Sequence, residues 1–260
     1  LTGDGGDELF FGYERFWSIA KNIGMHEYPY PIKYLIYLFD KIFYQNSNLN
    51  GAGLYRYQNE AHFNMHSRFK SDAIHRIFPY LKGIHYPSNY NNYDYPNTKN
   101  EFELIQYMRH AEFYGMMQKT LRKVDQASMA NSLELRVPFL KKSFIEATLK
   151  IDPYLSYGPN KKKVSGKKIL LKELLKKEVP SVQFDGIKRG FSIPLSAWLK
   201  TELFKPINDT IMHSSNIDYF DIEVNEMEKI FDSHLNDDID NKWPIFTIYS
   251  LFNWRSNQSV

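Results

Sequence analysis

The chain has 260 residues, 43% hydrophobic and 24% charged, with a net charge of +3. That is the profile of a globular chain able to bury a sizeable core, as one large domain or two small ones. The small net charge, without a basic stripe carrying interleaved aromatics, argues against nucleic acid as a partner. The lack of Cys excludes disulfides, thiolate metal sites and a Cys nucleophile, and suits a reducing, cytoplasmic compartment.

The first thirteen residues, Leu-Thr-Gly-Asp-Gly-Gly-Asp-Glu-Leu-Phe-Phe-Gly-Tyr, carry the densest chemistry. Leu1-Thr2-Gly3 reads as the end of a strand. A tight turn follows, in which Gly3, Gly5 and Gly6 are free to take positive φ and to admit a ligand to the backbone. Asp7 is a candidate N-cap for a helix whose apolar stripe runs through Leu9, Phe10, Tyr13, Phe16, Trp17 and Ala20. A strand, a glycine turn and a helix N-terminus together receive anions, usually phosphate. Asp4, Asp7 and Glu8 would repel a bare phosphate, so bridging Mg²⁺ or a base role in phosphate chemistry is the fitting reading. A merely capped loop is the alternative. The stretch is not a calcium repeat, because no second copy occurs.

Tyr28-Pro29-Tyr30-Pro31 breaks the pattern before an apolar helix over Ile32–Phe43, whose Tyr34–Phe39 run is too short to span a bilayer. Residues 45–53 read as a loop and Leu54 to Leu81 as helical. There His62 and His66 stand four apart, but without the Glu that a zinc-protease helix carries after its first His, so a surface or core role is expected. Residues 83–100, rich in Asn and Tyr, read as an exposed loop.

From Glu101 to Val124 a single stripe is predicted: Phe102, Ile105, Tyr107, Met108, Ala111, Tyr114, Met117, Leu121 and Val124. Glu134 and Arg136 follow, two apart, before Pro138; alone they suggest an ion pair at a helix end. A helix from Ser165 is predicted to turn Ile169, Leu170, Leu171, Leu174 and Leu175 inward. Pro194 opens another, with Leu195, Trp198 and Leu199 on its apolar side. Ile222 to Trp254 reads as two helices broken near Pro244.

Several segments taken together resemble the glutamine-hydrolysing asparagine synthetases. They are the Gly3–Glu8 turn with Phe11-Gly12-Tyr13, the Lys-Val-Asp-x-Ala-Ser-Met block from Lys123 with Leu-Glu-x-Arg-Val-Pro-Phe-Leu after it, the Lys-x-Ile-Leu helix at Lys167, and Lys-x-Gly-Phe-x-x-Pro from Lys188. They stand in that family's order and spacing, with residues 40–100 matching loosely.

The resemblance implies a mostly α fold over 1–260, the C-terminal helical portion of an α/β pyrophosphate-loop synthetase domain. It implies an ATP- and Mg²⁺-dependent ligase that turns aspartate into asparagine through β-aspartyl-AMP, with ammonia drawn from glutamine. A homodimer would fit, and neither nucleic acid nor membrane is expected. Thr2 and Gly3 would lie against ATP, and Asp7 near pyrophosphate and Mg²⁺. Asp4 would be the base on ammonia, and Lys167 the cation that neutralises the adenylating phosphate. Glu8, Asp125, Glu134, Arg136 and Lys188 would be supporting or substrate-side groups.

Departures bear on the acceptor: Asp4 stands where Glu is usual, Gln126 where Arg, Lys141 where Asp, and Leu171 where Arg is common. The alternatives are a ligase of the same family acting on another carboxylate, or a non-catalytic helical fragment. The family's Ser-Gly-Gly-x-Asp-Ser pyrophosphate loop and Cys glutaminase are not among these residues. The chain, starting at Leu1 without an initiator Met, is therefore expected to be a fragment inactive alone.

Overall fold

The computed structural model describes residues 1–43, 51–84, 92–156, 167–182 and 193–258. Among these the fold is helical, with no strand. The helices are α1 (Gly6–Leu9), α2 (Glu14–Ala20), α3 (Tyr30–Phe43), α4 (Gln58–His66), α5 (Ser71–Ile77), α6 (Glu101–Ala111), α7 (Met117–Met129), α8 (Lys142–Leu149), α9 (Ile169–Glu178), α10 (Leu195–Trp198), α11 (Phe204–Ile211), α12 (Ser214–Phe220), α13 (Val224–Leu235) and α14 (Lys242–Ser256). They fall into two compact units: Leu1–His66 with Ser88–Asp185, and Ser67–Pro87 with Gly186–Val260.

In the first unit the core joins α2, α4 and α6. Phe16, Ile19, Ala61, Leu104, Ile105, Met108 and Ala111 are fully buried there. Tyr93 and Tyr95 join them, contrary to the exposed loop expected for 83–100: their rings pack on His62, and Tyr95 also stacks on Tyr107. An Asn- and Pro-rich loop can still deliver aromatic rings to a core, where their large apolar faces are buried and, for Tyr95, the hydroxyl pairs with His62 Nδ1.

The expected helix from Asp7 to Ala20 is broken. α1 ends at Leu9, and Phe11 takes a left-handed φ of 54° that sends its ring into the core. The predicted Leu54–Leu81 helix likewise divides into α4 and α5. On α9, Leu174 and Leu175 are exposed, so they are not the inward residues the spacing suggested.

The predicted 101–124 stripe is interrupted by a π-turn over Glu112–Met116 between α6 and α7. A π-turn inserts one extra residue and rotates everything after it by about 100°. Tyr114, expected inside, is exposed, whereas Glu112 is fully buried. Asn100 caps the start of α6, its Oδ1 accepting from the Phe102 and Glu103 backbone N–H groups.

In the second unit α5, α11, α13 and α14 share a core that includes Ile77, Ile211, Met227, Ile245, Ile248 and Phe252. Leu195 and Leu199 are buried in it, as the pattern at α10 predicted. The two helices read between Ile222 and Trp254 are α13 and α14, with Pro244 in the first turn of α14, where its missing N–H costs nothing.

Candidate functional site

Of the three turn glycines only Gly5 uses a positive φ, at 88°. A Cβ there would also meet Leu140 Cδ2 at 2.9 Å. The Val-Pro-Phe-Leu block thus lies directly beneath the turn. Phe10 packs on Phe139 and Phe144, with ring centroids 6.1 Å away in each case. The Thr2 N–H donates to the Arg136 carbonyl at 2.9 Å. Two motifs about 130 residues apart in sequence therefore form one structure, the second serving as the floor of the first. Leu1–Gly3 belongs to no strand; it is held by that bond and by the Gly6 N–H donating to the Gly3 carbonyl at 3.2 Å.

The three carboxylates of the turn have different surroundings. Asp4 is half-buried, and its Oδ2 accepts from Thr2 Oγ1 at 2.7 Å. Asp7 is half-buried, and its Oδ1 is taken up by an ion pair with a distant lysine. Glu8 points inward: it is 2% exposed and accepts from the Tyr13 hydroxyl at 2.5 Å. Burial raises the Glu8 pKa against the opposing effect of that hydrogen bond. It raises the Tyr13 pKa too, reinforced by the bond to Glu8. Glu8 thus braces the turn from inside and is not presented to a ligand. Since α1 has only four residues, its dipole adds little.

A distant segment supplies the positive charge. Lys168 donates its backbone N–H to the Phe10 carbonyl at 3.2 Å and takes a left-handed φ of 54°. Its ammonium reaches Asp7 Oδ1 at 2.8 Å. Lys167, the residue the resemblance selects, instead pairs with Glu14 at 3.1 Å on the neighbouring surface. The left-handed residue explains the exchange, because it turns the second lysine and not the first towards the turn.

Gly12 closes the arrangement: a Cβ there would fall 1.8 Å from Asp7 Oδ1 and 2.4 Å from Lys168 Cε. Glu134 and Arg136 pair at 2.9 Å, both strongly exposed, on the extended stretch after α7 and not on a helix end. Asp125 is exposed on α7. Lys188 lies outside the described residues.

The arrangement suits a polyphosphate and its cation. Mg²⁺ takes oxygen ligands, commonly one or two carboxylates together with substrate phosphates. Asp7 fits such a ligand if its Oδ1 exchanges the Lys168 ammonium for the cation; buried Glu8 does not. Lys168 and Lys167 offer compact charges for phosphate oxygens.

Sequence reasoning paired two histidines of one further cluster but missed the carboxylate that joins them. In the first unit His62 Nε2 and His66 Nε2 each lie 2.7 Å from Glu112 Oε1. Arg15 pairs with the same carboxylate through Nε on Oε1 and through Nη2 on Oε2, the latter at 2.7 Å. Tyr95 Oη lies 3.0 Å from His62 Nδ1. Burial would raise the Glu112 pKa, but the bonds from Arg15, His62 and His66 together outweigh it and hold the carboxyl well below its usual range. The i,i+4 histidines were the legible half of this cluster. The Glu comes from a π-turn that periodicity does not announce.

Comparisons with known proteins agree with the motifs. The family model described as asparagine synthase matches residues 1–256. The chain is 27% identical over 267 aligned residues to "Asparagine synthetase [glutamine-hydrolyzing] 1" of Bacillus subtilis (strain 168), covering 98% of this chain and 40% of that protein. It therefore spans less than half the length of that relative. No solved structure matches. Among the described residues no helix is long and apolar enough to cross a membrane.

Proposed function

Because the chain belongs to the asparagine synthase family, we propose that it forms part of an ATP-dependent amidotransferase ligase converting aspartate to asparagine. The observation that carries the reading is the docking of Lys168 on the first turn, through its backbone N–H on the Phe10 carbonyl and its ammonium on Asp7. In this reading the aspartate β-carboxylate attacks ATP, pyrophosphate leaves, and ammonia then displaces AMP from β-aspartyl-AMP.

Thr2 and Gly3 bound the nucleotide, and Asp7 would hold Mg²⁺, which screens the phosphate charge. Lys168, with Lys167 one residue away, balances the negative charge that grows on the departing pyrophosphate. Asp4, held by Thr2 Oγ1, orients the incoming amine and takes its proton. Placing Asp where the family has Glu shortens the reach by one methylene. Misplacement near an ångström can cost about a hundredfold in rate, so the shorter side chain requires the turn to sit closer to the adenylate.

The test is a single-turnover assay of the full-length protein with ATP, aspartate and glutamine, quantifying asparagine, AMP and pyrophosphate. Asp4→Asn should depress amide formation by about a hundredfold or more while ATP still binds, and Asp4→Glu should also be slow. Of the lysines, the Ala variant of the one that neutralises the phosphate should lose adenylation, by on the order of 10²–10³, and spare glutamine hydrolysis. Geometry points to Lys168 and the family register to Lys167, so both are made. Wild-type rates in Asp4→Asn and in both lysine variants would return the turn to a capped loop. AMP formation with a different carboxylate and none with aspartate would move the acceptor.

A further inference from the structure

The His62–His66–Glu112 cluster has no role in the turn chemistry proposed above, although Arg15 and Tyr13 connect it to Glu8. We propose that it is a binding site for a zinc-class divalent metal ion, held by His62 Nε2, His66 Nε2 and Glu112 Oε1, with water completing the coordination. The two histidines stand one turn apart on α4 and face the same way. The π-turn carries Glu112 to meet them, and single π-turns concentrate at functional sites. The three ligand atoms lie within 4.8 Å of one another.

Hydrogen bonding alone leaves this arrangement oversubscribed. A carboxylate oxygen has two lone pairs, yet Oε1 faces three donors: Arg15 Nε, His62 Nε2 and His66 Nε2. A cation at the point where the imidazoles converge resolves the excess, because both Nε2 atoms then turn lone pairs inward. Zinc bonds near 2.0–2.1 Å place tetrahedral ligands roughly 3.3 Å apart, so each Nε2–Oε1 spacing must open by roughly half an ångström.

The surroundings already resemble the outer shell of a metal site. Tyr95 Oη sits on His62 Nδ1, where it can accept the ring N–H of a metal-bound imidazole, and Arg15 Nη2 holds Glu112 Oε2; such partners orient ligands and tune affinity. Arg15 can release Oε1 without losing its place, because its guanidinium also stacks 3.7 Å above the Tyr13 ring. Tyr93 walls the cluster, its ring centroid 5.1 Å from that of His62 and 5.5 Å from that of His66. Gly115 of the π-turn makes room for that ring: a Cβ there would be 2.8 Å from Tyr93 Cε2. Two nitrogens and one carboxylate favour zinc and its late first-row neighbours over Mg²⁺ or Ca²⁺.

The experiment uses the full-length protein, stripped with EDTA and then dialysed against ZnCl₂ or MgCl₂. Metal retained through gel filtration is counted by mass spectrometry, and thermal unfolding is followed in parallel. The expected result is about one zinc per chain, with a rise in melting temperature that EDTA reverses. His66→Gln, at the rim of the cluster, should retain at least about tenfold less zinc and lose the melting shift. His110→Gln, an exposed histidine on α6, should behave as wild type. Co²⁺ in place of zinc should give visible bands of a tetrahedral N/O site in wild type and not in His66→Gln. Zinc-free wild type, or His66→Gln retaining as much zinc as wild type, overturns the site and leaves the ligase reading untouched. An equal melting shift with MgCl₂ also overturns it.

Discussion

Gly12 has no room for a side chain, since Asp7 Oδ1 and Lys168 Cε both occupy the place of its missing Cβ. Adding a methyl must push Lys168 off Asp7 or move the turn, and overpacking of this kind costs about 1–3 kcal/mol. Gly3 is the contrast, because nothing lies within 4 Å of its missing Cβ. Denaturant unfolding should therefore show Gly12→Ala destabilised by about 1–3 kcal/mol and Gly3→Ala within about 0.5 kcal/mol of wild type. Equal midpoints for the two variants would remove the close approach of Lys168 to the turn. The sequence marked the whole run of glycines as permissive. Which of them the fold requires depends on Phe139, Leu140 and Lys168, far along the chain, so local reading could not rank them.

Among the elements, the long helix pair α6–α7 shows how far periodicity carries. Ile105, Met108, Ala111 and Met117 are buried as their spacing requires, and the Asn100 cap sits at its head. Asn100→Ala should cost about 1 kcal/mol, read as a lower unfolding midpoint with an unchanged denaturant slope. No loss of stability would mean that the cap is replaced by solvent. Between Ala111 and Met117 the pattern fails, with Tyr114 exposed and Glu112 buried, because a π-turn is set by what the helix meets and not by its own residues. Arg15 on α2 and two histidines on α4 give a buried carboxylate enough donors to offset its desolvation. No window along 101–124 contains those partners. The same holds for Tyr93 and Tyr95, whose loop composition spoke for exposure while their rings found a core. At the turn, the residue types were legible from spacing, but the choice between Lys167 and Lys168 rests on a left-handed backbone at Lys168.

At the scale of the whole molecule, stability against acid gathers contributions of opposite sign, and His26 gives one that can be isolated. It lies on the short helical turn Ile23–Glu27 and is 7% exposed. Its Nδ1 is 3.0 Å from the Tyr55 carbonyl, to which Lys33 Nζ also donates at 2.9 Å. Burial, aided by the Lys33 charge and opposed by the carbonyl, lowers its pKa to about 4. Above about pH 6.5 the ring is neutral in both folded and unfolded chains, so His26 adds no pH dependence there. Between about 6.5 and 4 the unfolded chain takes up a proton that the folded chain refuses, so stability falls as pH falls; below about 4 both bind it and the effect levels. The loss over that window is on the order of 2–3 kcal/mol. Glu8 acts the other way: its raised pKa means that the folded chain binds a proton more readily just above the usual carboxylate range, which favours folding as pH drops. The raw acid limb therefore mixes these with other shifted groups, Glu112 and His62 among them, and the difference between wild type and His26→Gln isolates the His26 contribution. Unfolding free energies measured from pH 7.5 to 4 should show wild type losing ground to His26→Gln steadily below about pH 6.5. Parallel curves would mean that the His26 ring is reached by water in the folded protein and titrates as it does in the unfolded chain.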